Sequence, residues 1–209
     1  MKRIFTFLLI LISFSSFSQN GKADFEGSTY FNLGWVFPNM DHVNQFNPKK
    51  YDVSTIAGEM ELGGIWCFRQ VKLSEAGRFG LTGDFLNLGC NYMTFTEKGA
   101  AKTSKVITGR WSINLGPNIA IRLYEQTYFD LYGKARLTFC YDHVQTLAIP
   151  QGDEGVGIGF RYSAGANFRW KVLYIGGEYV MGRTSAVVYQ TFTNDVTDNF
   201  FKVKLGVNM

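Results

Sequence analysis

Hydrophobic and polar side chains alternate with a period of two along most of the chain. The segment FEGSTYFNLGWVF at 25–37 places Phe31, Leu33, Trp35 and Phe37 on one face, with Asn32, Gly34 and Val36 between them. Because successive side chains of a β-strand point to opposite faces, this pattern predicts strands with one apolar face and one polar face. The chain is therefore expected to be all-β.

Eight segments carry this alternation, and they are the predicted strands. Inside the third segment the apolar positions change phase, from Leu81 and Phe85 to Leu86 and Leu88, which predicts a β-bulge. The eight predicted strands are 25–37, 55–68, 78–95, 107–123, 128–141, 156–170, 173–182 and 200–209.

The predicted connections alternate between long and short. Long ones fall near 38–54, 96–106, 142–155 and 183–198. Short turns on one side and long loops on the other are typical of a barrel threaded through an outer membrane. Two stretches of the long connections, YDVSTI and SAVVYQTFT, keep a strand-type alternation. They favour plain extracellular hairpins, with a strand edge for a partner protein as the alternative.

The last strand indicates that the sheet is closed. Phe201, Val203 and Leu205 alternate with Lys202 and Lys204 at the C-terminal end of the sequence. A bare strand edge of this kind would invite aggregation, whereas pairing with the first strand removes the edge. The pattern predicts a closed eight-stranded antiparallel up-and-down β-barrel.

Charged residues on these strands all fall on the polar face. A charge facing the middle of a bilayer costs about 2–4 kcal/mol, so the apolar face is predicted to face lipid and the polar face the lumen. The lumen of an eight-stranded barrel is just wide enough for its own side chains, so charges of both signs there need partners. We interpret them as a structural network rather than an ion pathway. Its predicted members are Glu26, Glu59, Glu61, Asp84, Arg110, Arg122, Asp130, Lys134, Arg136, Arg161, Arg169, Glu178, Lys202 and Lys204.

Composition narrows the alternatives. Aromatic residues make up 16% of the chain, and many fall near predicted strand ends, where the interfacial girdles of membrane barrels lie. The three cysteines cannot all pair and show no metal-ligand spacing, so neither a disulfide framework nor a cofactor is predicted. Downstream of the N-terminal segment, no apolar run reaches the roughly 18 residues of a transmembrane helix.

The N-terminal segment has the pattern of a secretory signal peptide. Lys2 and Arg3 precede an apolar stretch at 4–12, and Ser16-Phe17-Ser18 follows as a cleavage site. The predicted domains are thus a signal peptide at 1–18 and a barrel domain at 19–209. Without Lys2 and Arg3, 19 basic residues remain against 17 acidic ones. This near balance predicts no nucleic-acid partner.

A resemblance supports this reading. The signal ending SFSQ, the glycine-punctuated strands RFGLTGDFLNLG and VLYIGGEYVMG, and the terminal FKVKLGVNM resemble small eight-stranded outer-membrane β-barrel proteins, in particular the generic outer-membrane β-barrel domain of Bacteroidota-type bacteria. The resemblance covers residues 20–209. It implies a bacterial outer-membrane location, contact with membrane lipid and lipopolysaccharide, and insertion by the barrel-assembly machinery. In that family the last residue is usually aromatic, but Met209 stands here.

The two histidines are the candidates for chemistry. His42 and His143 each follow an aspartate in a predicted loop. Lipid A deacylase barrels present a His-x-Ser pair, whereas Gln145 occupies the serine position here. We therefore expect no catalysis and no metal site.

The predicted function is that of a monomeric barrel with a filled lumen and a structural role, or a role in binding an extracellular protein through its loops. A narrow porin-like channel, a soluble lipocalin-like carrier with the faces inverted, and a lipid-modifying enzyme remain as alternatives. The channel requires an open lumen, the carrier requires an apolar lumen with a polar exterior, and the enzyme requires a nucleophile near His143 at the rim.

Overall fold

The computed structural model describes residues 27–38, 51–99, 103–145, 152–188, 192–197 and 199–209. Predictions on 1–18, Phe25, Glu26 and His42 lie outside these ranges. No helix in the described part of the chain is long and apolar enough to cross a membrane. The described strands are β1 (Ser28–Pro38), β2 (Tyr51–Lys72), β3 (Gly77–Glu97), β4 (Thr103–Tyr124), β5 (Thr127–Gln145), β6 (Asp153–Trp170), β7 (Leu173–Val188), β8 (Phe192–Thr197) and β9 (Phe200–Asn208).

The strands form a closed antiparallel ring. Each of β1 to β6 pairs with the next strand, β7 pairs with β9, and β9 pairs with β1. β8 and β9 lie on the same edge of β7 in one continuous register, since Arg183 pairs with Thr197 and Val180 with Phe200. The nine strands therefore build eight walls. The predicted closed eight-stranded up-and-down barrel is confirmed.

The stagger of the ring follows from the pairings. A circuit of paired residues that leaves β9 at Lys202 returns to the same wall at Phe192, ten residues earlier. In an eight-walled barrel, this stagger corresponds to strands tilted about 40° from the barrel axis. Each residue then advances about 2.5 Å along that axis. With eight walls, the interior is just wide enough for side chains to fill it.

The predicted β-bulge is present in β3. Between Asp84 and Asn87 the register with β4 shifts, so that β3 places two residues, Phe85 and Leu86, opposite one. Asp84 and Asn87 are both buried although they stand three positions apart, an offset that places residues of a regular strand on opposite faces, and Phe85 is exposed. Without the extra residue, one of the two polar side chains would face outward.

The two faces of the sheet are inverted relative to those of a soluble barrel. Among the described residues, 23 buried side chains are polar or charged and 12 are hydrophobic. The exterior carries 36 exposed large hydrophobic side chains, among them Trp35, Trp111 and Phe160. A lipocalin-like carrier needs the opposite arrangement, with an apolar lumen. The structure therefore contradicts that alternative.

The long connections are shorter than predicted, because the strands extend further at the end of the barrel that carries these connections. This end is called the outer end. β2 begins at Tyr51, β7 runs to Val188, and β8 is an additional strand. There the alternation continues, but the polarity of the two faces is exchanged, so that apolar side chains point inward and polar ones outward. In the outer part of β3, for example, Phe95 is buried inside the barrel and Thr94 lies on the outward-facing phase. The predicted strands 107–123, 128–141 and 173–182 stop at or near the point where the first pattern ends, whereas the predicted strand 78–95 already includes Phe95.

Ring closure can be tested by a cross-link between the first and last walls. Leu33 of β1 pairs with Leu205 of β9. Paired residues on antiparallel strands have Cα atoms about 5 Å apart, within the range of a disulfide. With the three native cysteines replaced by serine, Leu33→Cys with Leu205→Cys should form a disulfide on mild oxidation, visible as a mobility change without reductant. Leu33→Cys with Leu137→Cys on the opposite wall is the control, and equal cross-linking of both pairs would contradict the ring.

Candidate functional site

The lumen is the candidate site, because the structure gathers most of the predicted charged residues there. Arg110 is partly buried near the outer end, and Arg122 shares the lumen phase of β4 but is exposed beside a turn. Glu26 lies outside the described residues. The other eleven predicted members are buried: Glu59, Glu61, Asp84, Asp130, Lys134, Arg136, Arg161, Arg169, Glu178, Lys202 and Lys204.

The centre of the lumen holds an ion cluster of three carboxylates and three cations: Glu59, Glu61, Glu178, Arg136, Lys202 and Lys204. Lys202 Nζ lies 2.7 Å from a Glu59 oxygen, 3.6 Å from Glu178, and in direct contact with Glu61. Each cation contacts at least two carboxylates, and the formal charges cancel.

The cluster ties walls from different sides of the barrel. Arg136 projects from β5 and contacts Glu178 on β7, with Glu59 on β2 at 3.7 Å. Lys204 on β9 lies 3.0 Å from Glu178 and donates a hydrogen bond to the hydroxyl of Tyr132, at 2.6 Å. Because these contacts cross the lumen, they fill it with side chains.

A second charged site surrounds Asp84. It lies nearer the turn end, which is the end of the barrel where short turns join the strands. Lys134 Nζ lies 3.0 Å from both oxygens of Asp84. Tyr30 donates a hydrogen bond at 2.5 Å, and Asn114 donates another at 2.5 Å. Lys134 comes from β5 and Tyr30 from β1, which are opposite walls of the ring. The carboxylate is thus saturated with partners, as a buried charge requires.

A third ion pair lies close to the turn end of the lumen. The guanidinium of Arg169 donates two hydrogen bonds to Asp130, at 2.5 and 2.8 Å, and a third to Ser28 at 3.2 Å. This two-point contact fixes the geometry of both side chains. Together with the ion cluster and the Asp84 site, it matches five carboxylates with five cations.

Glycines make room for the tyrosines that cross the lumen. A Cβ atom at Gly63 would lie 2.6 Å from the ring and hydroxyl of Tyr30, and one at Gly165 would lie 2.4 Å from the Tyr132 hydroxyl. No side chain larger than hydrogen fits at these two positions without displacing a tyrosine. Each glycine therefore leaves the space that a tyrosine of the neighbouring strand occupies.

The tyrosines of the lumen and Asn87 were not predicted from the sequence. Tyr30, Tyr132 and Tyr174 are buried, and Tyr132 donates a hydrogen bond to Glu178 at 2.9 Å. Asn87 donates to Glu61 at 3.2 Å. These residues could have been found from the sequence, because they lie on the same face of each strand as the charged residues.

The described histidine does not form a catalytic pair with its neighbouring aspartate. Asp142 and His143 are consecutive in β5, so their side chains point to opposite faces. His143 Nδ1 lies 3.9 Å from a carboxylate oxygen of Glu154, which is exposed. Within the described residues, no group of three His, Cys, Asp or Glu side chains could hold a metal ion.

Comparison with known proteins gives distant matches among solved structures alone. No protein-family model and no characterised protein sequence matches the chain. Ail, the attachment invasion locus protein of Yersinia pestis, is 13% identical, with 88% of this chain and 99% of that chain covered and a TM-score of 0.46. The outer membrane protease OmpT from Escherichia coli is 11% identical, with 87% and 77% covered and a TM-score of 0.48. Both likenesses are too weak to carry an argument about activity.

The Asp84 site generates a stability prediction. Lys134→Met removes the cation and leaves a buried carboxylate short of charge compensation, which should lower the free energy of unfolding by about 3–5 kcal/mol. Adding Asp84→Asn to the same chain should restore most of that loss, because no charge then remains unpaired. Urea unfolding in detergent micelles measures both.

Lys171→Met, at an exposed turn, is the matched control for loss of a lysine. It should leave the unfolding midpoint nearly unchanged. A Lys134→Met variant as stable as this control would contradict the role assigned to the ion pair.

Proposed function

We propose that this chain is an integral protein of the bacterial outer membrane, with a filled lumen and a structural or binding role at the cell surface. The observation that carries the proposal is the inverted barrel, apolar outside and charged inside. In water such an exterior would be unfavourable, whereas in lipid it is required. A signal peptide at 1–18, insertion by the barrel-assembly machinery and a monomeric state belong to the same proposal.

The dimensions of the apolar exterior support a membrane location. On β5 the outward-facing residues from Phe129 to Tyr141 are apolar or small. At about 2.5 Å per residue, this band is about 30 Å tall, the thickness of a bilayer hydrocarbon core. Aromatic pairs lie along it, including Trp111 stacked on Phe139 with centroids 5.1 Å apart. We propose contact with membrane lipid and lipopolysaccharide along this band.

The outer ends of the strands support a role outside the membrane. Beyond the band, the outward-facing residues of β3 and β4 become polar, as at Thr94, Thr96 and Lys105, while Met93 and Val106 face inward. This is the polarity of a sheet in water. From Tyr92 the outer part of β3 continues for about 12 Å. We propose that this projecting part and its loops meet an extracellular protein or surface.

The filled lumen argues against the channel alternative, and the outer rim gives no support for an enzyme. Ion pairs and tyrosines span the lumen between opposite walls, so passage of a solute would require breaking them. At the rim, His143 and the aspartate next to it point to different faces. We therefore propose no catalytic activity for this barrel.

Cell fractionation tests the proposed location. The protein should be recovered with the outer membrane, and unheated samples in SDS should migrate differently from boiled ones because a closed membrane barrel stays folded in cold detergent. Both results are expected together. Recovery in the soluble periplasmic fraction, without a heat-dependent shift, would contradict the proposal.

Two leucines of β4 give a sharper test of lipid contact. Leu115 lies in the middle of the apolar band and is 54% exposed, whereas Leu123 lies beside a turn and is 58% exposed. In lipid vesicles, Leu115→Arg should cost about 2–4 kcal/mol of unfolding free energy and Leu123→Arg about 0–1 kcal/mol. In a soluble barrel, both exposed leucines would accept arginine equally well. Equal unfolding energies for the two variants would therefore count against a membrane-embedded exterior.

A further inference from the structure

An apolar layer lies directly outside the ion cluster in the lumen. It consists of Val36, Ala57, Val180 and Phe200, which pack together and are all buried. Three of them stand two positions from a member of the ion cluster on the same strand: Ala57 from Glu59, Val180 from Glu178, and Phe200 from Lys202. Because side chains two apart on a strand share a face, the layer stacks on the cluster along the barrel axis.

Phe200 extends this layer across the lumen. In the ring of eight walls, β9 stands opposite β4, and the guanidinium carbon of Arg110 on β4 lies 5.6 Å from the centroid of the Phe200 ring. That distance is within the range of a cation–π contact. The ring itself is 1% exposed. One aromatic side chain therefore reaches from its own wall to a residue of the opposite wall.

Phe200 is the first residue of β9, the second of the two strands that form the last wall. Val180 of β7 pairs with Phe200 of β9, and Arg183 of β7 pairs with Thr197 of β8. In this interval the Asn199 side-chain oxygen accepts a hydrogen bond from the Gly182 N–H at 3.2 Å. Gly182 has a φ of +148°, a backbone conformation that favours glycine. Phe200 thus follows directly after a side-chain contact that joins the last wall to β7.

We propose that Phe200 is a hydrophobic gate that keeps water in the outer mouth of the barrel away from the ion cluster. An apolar constriction in a narrow lumen excludes water without a fixed plug. Exclusion of water also strengthens the ion pairs below it, because charges attract more strongly in a low-dielectric interior. The inference rests on the proposed function only in taking the outer mouth to face the external medium.

A buried reporter thiol tests the gate. Ser163 accepts a hydrogen bond from Arg136 at 3.2 Å, so Ser163→Cys places a thiol beside the ion cluster. The three native cysteines are replaced by serine, and the folded protein in detergent is treated with 2-aminoethyl methanethiosulfonate. The labelling rate is followed by mass spectrometry. Access from the turn end is common to all variants, so differences in rate report the outer barrier.

Phe200→Ala should accelerate labelling by about tenfold or more, since truncation removes most of the apolar side chain that closes the lumen. Phe201→Ala is the matched control: Phe201 is the next residue, faces outward and is 45% exposed, and its truncation should leave the rate unchanged. Phe200→Val, which retains a smaller apolar side chain, should give an intermediate rate and serves if the alanine variant does not fold. The heat-dependent gel shift confirms folding of each variant.

Equal labelling rates in the Phe200 and Phe201 variants would overturn the gate. So would labelling of the parent chain at the rate of an unfolded thiol. Recovery of the protein in the soluble fraction would instead contradict the proposed membrane location. The labelling comparison would still decide whether Phe200 seals the lumen.

Discussion

Charge pairing inside a narrow closed ring is the constraint on which this structure depends. A carboxylate or ammonium group in such a lumen is removed from bulk water, and its desolvation is offset only by partners at close range. The cluster around Lys202 and the site around Asp84 meet that demand with contacts between different walls. The same contacts hold the walls at a fixed separation and leave little room for solvent. The contacts that stabilise the ring are therefore the same contacts that fill the lumen.

Pairing also explains why residues without charge matter in the lumen. Tyr30 and Asn114 complete the coordination of Asp84, and Tyr132 bridges Lys204 and Glu178. The two tyrosine rings need small residues at the paired positions of the neighbouring strands, and these are Gly63 and Gly165. A lumen of this width is specified by volume as much as by charge.

Most of the fold could be predicted from the sequence, because a side-chain period of two assigns each residue to one face. The bulge at Phe85 was visible as a change of phase, and closure followed from the lysines of the last strand. The partners within the lumen could not be predicted, since alternation gives the face of a residue but not its height or its neighbours across the ring. Arg122 illustrates the limit, as it has the correct phase but lies too near a turn to be buried. The outer strand ends were missed because their polarity reverses.

That reversal of polarity has a consequence for how such a chain can change over evolutionary time. Leu88 and Thr94 share the outward face of β3. Under the proposed membrane location, lipid favours an apolar residue at the first position and water a polar residue at the second, so the two positions accept different substitutions. Above the reversal, the strand can lengthen or shorten by two residues at a time and keep both faces correct. Under the proposed membrane location, the thickness of the bilayer fixes the length of the part within the apolar band, while the projecting part is free to vary.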